Sequence, residues 1–559
     1  MLQEFARNIR ILIVEDQPLA QNYLKYSLEN LGFGSLIFAE RAQDAINHCK
    51  DNKFELILCS FNLAKGKDGY QLYEELKSHK LIQSTTAFIF VSSETEPGLV
   101  HSVLELQPDD FLVKPFTLKE LDSRITRVLL RKQKFKDVFA AIDRGLYDKA
   151  LQLIEKHIDN PKFVKSIPQL SRIKGDILLT QKKYQQGQKF FISILQIQKL
   201  TWAKIGLIRC LIALDQEDKA FGQLQLLAQQ PATKVEALEL LSQIQFKRKD
   251  YNDALESIKK AASLSPRNIN RQDRLVNIAR INHDYESQYK ASQDIVRYAR
   301  NSMHDSPEIY LNAVRSGIDY ALTNYNEEQT NRTLKQANDY ISKLKHNFPQ
   351  VNKQEQIDVI NARIHYLKDE KEKAKYLVSE LTRKEESEED ESEQAFNVED
   401  ELDKAKSFHE LGFYQQSSEL FERIDQHCQE QLDANPSIAA YIHQEKKQRK
   451  DIKSGPKELN SAAVNFYQRG NYPEAYKAFK QAFMLMPGNS SIALNLLQTI
   501  CNNHQLDLDN PDVEQTINKC ITTINNAELE KDKNERFIAL KEKLGLFEEE
   551  EDKNEESGE

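Results

Sequence analysis

The chain has 559 residues, with 77 Lys or Arg against 86 Asp or Glu and a formal net charge of -9. At roughly 100 to 200 residues per domain, this length predicts three to five folding units and excludes a single domain. Only 17 Gly and 15 Pro are present, about half the usual ~12%, which argues against collagen-like, linker-like and all-β sandwich architectures and for long helices.

From Ile9 onward, apolar runs of four to six residues alternate with amphipathic stretches of ten or more, the pattern of parallel strands joined by helical crossovers. Five strands are predicted at Ile9 to Val14, Ser35 to Ala39, Leu56 to Cys59, Ala87 to Val91 and Phe111 to Val113, with a last helix from about Leu118. The expected fold is an α/β domain with a five-stranded, doubly wound, flavodoxin-like sheet. In such sheets chemistry collects outside the carboxyl ends of the strands.

Strand one ends in Glu15-Asp16, strand four in Ser92 and strand five in Lys114-Pro115-Phe116. Two carboxylates at a strand end suit a hard cation such as Mg²⁺, which takes one or two carboxylates and keeps waters. The ordered set resembles the receiver domain of two-component response regulators over about residues 8 to 130. The resemblance implies that Glu15 and Asp16 match the metal-binding acid pair, Ser92 the hydroxyl that contacts the phosphoryl group, Lys114 the lysine and Phe111 the switch aromatic. At the end of strand three, where the family places its phosphate-accepting aspartate, aligning Asn62 and the Asp68-Gly69 turn puts Ser60. A hydroxyl cannot form the acyl phosphate of such relays, and losing a carboxylate weakens any Mg²⁺ site. The expectation is a pseudo-receiver with no required cofactor and at most weak Mg²⁺ binding. In the inert reading of the pocket, Lys114 pairs with Asp16. Asp68 is read as turn chemistry.

Beyond the basic stretch Arg131 to Lys134 no strand pattern recurs, and one phrase returns instead. It is Gly145-x-Tyr147-x-x-Ala150, Gly412-x-Tyr414-x-x-Ser417 and Gly470-x-Tyr472-x-x-Ala475, with Tyr251 and Ala254 repeating it without glycine and Tyr184 and Tyr285 as weaker copies. A period in the mid-thirties, with a small residue three after an aromatic, predicts stacked helix pairs. The phrase resembles the tetratricopeptide repeat, so an all-α solenoid is expected, with a groove for a protein partner near Asn465 and Arg469. Residues 300 to 380 match poorly.

Two acidic runs, Glu385 to Glu393 and Glu548 to Glu559, carry the negative charge and leave the remainder near balance, so no nucleic-acid footprint is expected. The predicted organisation is a receiver-like domain at 1–132, a helical array at 133–383, an acidic linker at 384–403, a second array at 404–547 and an acidic tail at 548–559. The six cysteines are scattered, without zinc-ligand spacing. No apolar stretch approaches the roughly 20 residues of a bilayer span, and no secretory leader is visible. Cytoplasmic location is expected. Phosphate-loop, HExxH and GxSxG motifs are missing, so no enzyme is expected.

The resemblances together imply a non-catalytic adaptor of a bacterial phosphorelay, docking on a histidine kinase or response regulator. Its docking face would be helix four, strand five and helix five. The alternatives are an assembly scaffold for a secretion, pilus or motility complex, with a vestigial receiver, and a working, phosphorylatable response regulator.

Overall fold

In the computed structural model the described residues are 6, 8–93, 96–323, 327–387, 396–430, 436–525, 527 and 529–545. They divide into two units, one comprising 1–275 with 294–305 and the other 276–293 with 306–559.

The first unit opens with β1 (Arg10–Val14), α1 (Pro18–Asn30), β2 (Ser35–Ala39), α2 (Ala42–Asp51), β3 (Leu56–Ser60), α3 (Gly69–Ser78), β4 (Ala87–Ser92), α4 (Pro97–Glu105), β5 (Asp110–Val113) and α5 (Leu118–Lys134). All strand pairings are parallel, in the order β2-β1-β3-β4-β5. The period-two alternation of a strand explains the two cores. Leu12, Val14, Ile57, Phe88 and Phe90 face α2, α3 and α4 through Ala45, Leu72 and Val103. Ile11, Ile13, Leu58, Ile89 and Val91 face α1 and α5 through Leu28, Leu121 and Ile125. Because both faces are covered, the strands read as continuous apolar runs rather than alternating ones. The predicted strands recur within one residue at each end.

α5 runs through the basic stretch Arg131 to Lys134, across the expected domain edge at 132. Arg131 and Lys132 are ion-paired with Asp109, and Arg124 and Arg127 with Asp110, so this charge fastens the last helix to the start of β5.

The helices that follow repeat one turn. Eight times among the described residues, a residue with positive φ closes the first helix of a pair, at Gly145, Lys182, Asp215, Lys249, His283, Asp369, Gly412 and Gly470. At each, the next amide donates to a carbonyl five residues back, at 2.8 to 3.0 Å, the bond that satisfies orphan carbonyls at a helix end. The second helix starts one residue later, and six of the eight start on the tyrosines of the sequence phrase. Three residues into each lies Ala150, Gly187, Ala220, Ala254, Gln288, Ala374, Ser417 or Ala475, every one buried. Seven of these eight are small and admit the neighbouring helix, while Gln288 instead donates to Ser316 Oγ at 3.2 Å. At Gly187 an added Cβ would lie 2.9 Å from Cys210 Sγ.

The first unit joins the sheet domain to its helices through buried charge. The Arg271 side chain, 2% exposed, holds Glu105 of α4 at 2.6 Å and Glu239 at 2.7 Å. Ser265 Oγ lies 3.1 Å from Ser102 Oγ, and Arg267 pairs with Asp68 at 2.5 Å. Gln71 Nε2 donates to the carbonyls of Tyr298 and Arg300.

The second unit has an ionic interior. Arg363, 1% exposed, binds Asp319, Asp403 and Glu410 at 2.7 to 2.9 Å, while Lys406 binds Asp319 and the Tyr441 hydroxyl. Two neutral histidines sit among these charges. Burial pushes His283 and His409 down to about 4, and Arg449 adds to the shift of His409.

Contacts divide the described residues near 275, and Arg267 and Arg271 hold the early helices to the sheet domain. The proposed linker 384–403 overlaps the helices Lys371–Ser387 and Val398–Leu411. Leu402 and Asp403 are buried within the second of these, since Arg315 and Arg363 recruit its carboxylates. The remainder of that acidic run and the tail 548–559 lie outside the described residues.

A pH dependence follows. In the unfolded chain both histidines titrate near 6.5, so below that pH the unfolded state binds more protons than the folded one. Stability should fall as pH drops from 6.5 toward 4, by up to ~1.4 kcal/mol per pH unit for each ring. Urea unfolding between pH 7 and 4.5 checks this, and His409→Gln should flatten the slope.

Candidate functional site

The site lies at the carboxyl ends of β1, β3, β4 and β5. Registry brings the ends together: Val14 pairs with Cys59, Ser60 with Val91 and Ser92 with Val113. The crossovers carry Glu15, Asp16, Ser60, Ser92 and Lys114 to one side of the sheet.

Glu15 is buried at 1% exposure, and its Oε2 accepts from Lys114 Nζ at 2.7 Å. Lys114 therefore pairs with Glu15, not with Asp16 as the inert reading had it. The lysine follows β5, whose backbone is pinned when Lys114 N donates to Ser92 O at 2.8 Å. Asp16 is turned the other way, its Oδ2 accepting from Ala64 N at 3.0 Å, so it ties the loop after β3 to the end of β1. Asp16 Oδ1 is buried without a hydrogen-bond donor among the described residues.

Ser60 is the last residue of β3, 7% exposed, and Ser92 is buried at the end of β4. Asn62 is exposed on the loop. Phe111 is half-buried and packs against the core cluster that contains Phe88 and Phe90. Behind Ser60 the chain passes very close to itself. An added Cβ on Gly69 would stand 2.2 Å from Ser60 O, and Gly69 N donates to Phe61 O at 2.8 Å. Asp68 caps α3: its side chain accepts from Gln71 N while Gln71 returns a bond to Asp68 N. Its second oxygen meets Arg267, whose guanidinium also lies over the rings of Phe61, Tyr70 and Tyr298.

These donors suit a divalent cation poorly. Mg²⁺ favours carboxylate oxygens, and here Glu15 is engaged by an ammonium and the residue ending β3 is Ser60, a hydroxyl. Among the described residues no group of three His, Cys, Asp or Glu could hold a metal ion. Asp16 Oδ1 is the remaining oxygen that a hydrated cation could use.

Residues 11–126 match the family model of the response regulator receiver domain, and this segment is a receiver domain of the two-component type. Among curated proteins, the transcriptional activator protein IrlR of Burkholderia pseudomallei is 32% identical over 128 residues, 22% of this chain and 52% of that protein. The alkaline phosphatase synthesis transcriptional regulatory protein PhoP of Bacillus subtilis is 29% identical over 126 residues, 22% of this chain and 50% of that protein. The chain thus spans about half the length of these relatives. Among solved structures, the receiver domain of a signal transduction histidine kinase from Syntrophus aciditrophicus is 30% identical, covering 22% of this chain and 89% of that one with a TM-score of 0.20. The receiver domain of a putative Luxo repressor protein from Vibrio parahaemolyticus is 22% identical, covering 23% and 95% with a TM-score of 0.21.

Sequence reasoning used the Asp68-Gly69 turn to place Ser60 but missed Arg267, because nothing local announces a partner nearly 200 residues away. Gly69→Ala should destabilise the receiver by about 1–3 kcal/mol, the range for overpacking, in urea unfolding. Gly34→Ala, whose Cβ would meet nothing within 4 Å, should be close to neutral.

Proposed function

We propose that this chain is a non-catalytic signalling adaptor of a bacterial two-component phosphorelay. Its receiver is a pseudo-receiver that takes up no phosphoryl group and docks on a histidine kinase or another regulator. Its helix pairs, read as tetratricopeptide-type, hold a second protein. The observation that carries this reading is the hydroxyl of Ser60 at the carboxyl end of β3, beside a Lys114 already neutralised by Glu15. In-line attack on a phosphodonor needs an ionised oxygen at that place, and the neighbouring Asp68 is committed to the α3 cap and to Arg267.

Part of the docking face expected from resemblance is engaged within the chain. α4 contributes Ser102 and Glu105 to contacts with Ser265 and Arg271 of the same chain, so that part of the face is spent internally. Exposed apolar residues remain on α4, β5 and α5 at Leu104, Val113 and Leu130, and a further group lies on α1 and at the start of α5: Leu19 is 86% exposed and Tyr26 67%, with Tyr23 and Leu118 also exposed. Tyr23 stacks near Phe116 at 5.6 Å and donates to its carbonyl, which joins the two segments into one patch beside the pocket.

In this reading no cofactor is required. Mg²⁺, where bound, would be held by Asp16 with waters and would only offset its charge. The protein binds no nucleic acid, is no enzyme and works in the cytoplasm. No helix among the described residues is long and apolar enough to cross a membrane. The curated relatives are named as transcriptional regulators, and salt-dependent binding of duplex DNA would count against the adaptor reading. The tight joint between receiver and helices also suits the second reading, an assembly scaffold with a vestigial receiver.

Incubating the full chain with acetyl phosphate and Mg²⁺ should give no acid-labile label, and stable labelling of the receiver would contradict the proposal. In pulldowns from lysate, the wild-type chain should retain a histidine kinase or regulator. Leu19→Asp with Tyr26→Ala should lose it by about tenfold while leaving helix-pair partners in place. Retention unchanged by these substitutions would move the docking surface elsewhere.

A further inference from the structure

The charge of the helical array is unevenly spread. Residues 159–213 carry ten Lys or Arg against two Asp, whereas 214–260 carry seven Lys or Arg against eight acidic residues. The excess falls on the pair Ile167–Thr180 and Tyr184–Ile197, on the segments flanking it and on Thr201–Ala213. These helices share cores with their neighbours: Ala150 and Ile154 pack with Leu170 and Ile177, and Phe191 and Ile208 with Leu224 and Ile244. In such a stack of antiparallel pairs, the turns within pairs fall on one edge and the connections between pairs on the other.

The two edges handle their charge differently. On the turn edge, bases meet acids of a neighbouring turn: Lys183 holds Asp148 at 2.8 Å, Lys247 holds Glu217 at 2.7 Å and Arg248 holds Asp218 at 2.5 Å. On the connection edge, Lys162, Lys165 and Lys199 lie between pairs and Lys234 starts the helix Lys234–Lys247. All four are exposed, and none is ion-paired among the described residues. Lys134 joins them, its Nζ donating to Ser166 Oγ at 2.6 Å and lying 4.8 Å from the Phe163 ring centre. Of the acids near this edge, Asp137 is bonded to His157 at 2.8 Å and Glu236 to Arg209 at 2.5 Å, while Asp159 is exposed. Two aliphatic side chains, Val164 and Ile197, are exposed on the same edge.

This chemistry selects the partner. Clustered lysines attract an anionic partner, and exposed aliphatic side chains match those of another protein. A single-stranded nucleic acid would be met by aromatic rings open for stacking, and a duplex by arginines at base edges. Here Phe163 is covered by the His157 ring at 4.3 Å and by Lys134, and the bases of the edge are lysines.

We propose that the edge built by 159–166, 197–199 and 231–234 docks a protein partner that presents an acidic segment with aliphatic residues between its carboxylates. This rests on the reading of the helix pairs as a protein-binding array and names the chemistry of what one of its surfaces takes. Asn465 and Arg469, where the sequence suggests a groove, lie exposed on their helix and take no part in this surface.

Fluorescence anisotropy of the full chain, with a fluorescein-labelled peptide of repeated Glu-Glu-Leu as probe, tests the proposal. The wild type should bind the peptide, and Lys165→Glu with Lys199→Glu should weaken binding at least about fivefold. Lys182→Glu with Lys249→Glu makes the same change of net charge on the turn edge and should alter binding by less than about twofold. No binding by the wild type, equal losses in the two variants, equal affinity for a Glu-Glu-Ser peptide, or tighter binding of a single-stranded oligonucleotide of matched charge would overturn the proposal. All four substituted side chains are exposed, and unchanged circular dichroism melts check that the variants fold. Should the glutamate variant unfold, Lys165→Gln with Lys199→Gln gives the same readout. A protein still held by the helix pairs of the Lys165→Glu, Lys199→Glu chain would sink this surface alone and leave the array reading standing.

Discussion

The ion pair between Lys114 and Glu15 governs the pocket. An ammonium brought to the end of a parallel sheet must be balanced, because burying an unpaired charge is costly. With a carboxylate at the end of β3 the lysine would have two anions to serve. With Ser60 there it has Glu15 at 2.7 Å, and Asp16 is released to hold the loop at Ala64. In the proposed reading, the hydroxyl of Ser60 at this strand end leaves Lys114 to Glu15 and Asp16 to the loop. Protein architecture around the pocket is otherwise kept: the capping of α3 by Asp68, the approach of Gly69 to Ser60 O and the aromatic core behind Phe111.

The second constraint is the arginine joint. Arg267 and Arg271 tie the β3–α3 loop and the end of α4 to the helices that follow, and Arg271 is desolvated between two glutamates. A buried pair contributes less to net stability than to the choice of one arrangement over others, since removing either partner leaves an uncompensated charge. The joint therefore fixes which receiver surface is turned inward. Exposed apolar side chains remain on α1 at Leu19, Tyr23 and Tyr26 and on α4, β5 and α5 at Leu104, Val113 and Leu130, and in the proposed reading these serve docking.

Legibility in the sequence followed the range of the interactions. The strands could be read because both sheet faces are covered, leaving unbroken apolar runs such as Leu56 to Cys59. The helix pairs could be read where Tyr and Gly mark the turn, as at Gly470-x-Tyr472. The same turn built with Asp215 before Glu217, or with Asp369 before Lys371, has the same geometry and the same buried alanine, but a charged residue at the helix start hides it. The candidate pocket residues could be named from strand ends, whereas the partner of Lys114 could not, because two adjacent carboxylates differ only in which way the chain turns them. The division near residue 275 and the arginine joint were invisible, as their charges meet across 166 or more positions. The helical character of Val398–Leu411 was masked by its acidity, which the buried arginines of the second unit neutralise.

The central claim is that the receiver pocket lacks the ionised oxygen that a phosphoryl group needs. Its most direct test is fluorine NMR of the full chain with beryllofluoride, a phosphoryl mimic that requires a carboxylate to coordinate, in the presence of Mg²⁺. The account predicts only free fluoride species for the wild type and a bound resonance for Ser60→Asp. A bound resonance in the wild type, lost on changing any carboxylate of the pocket, would contradict it.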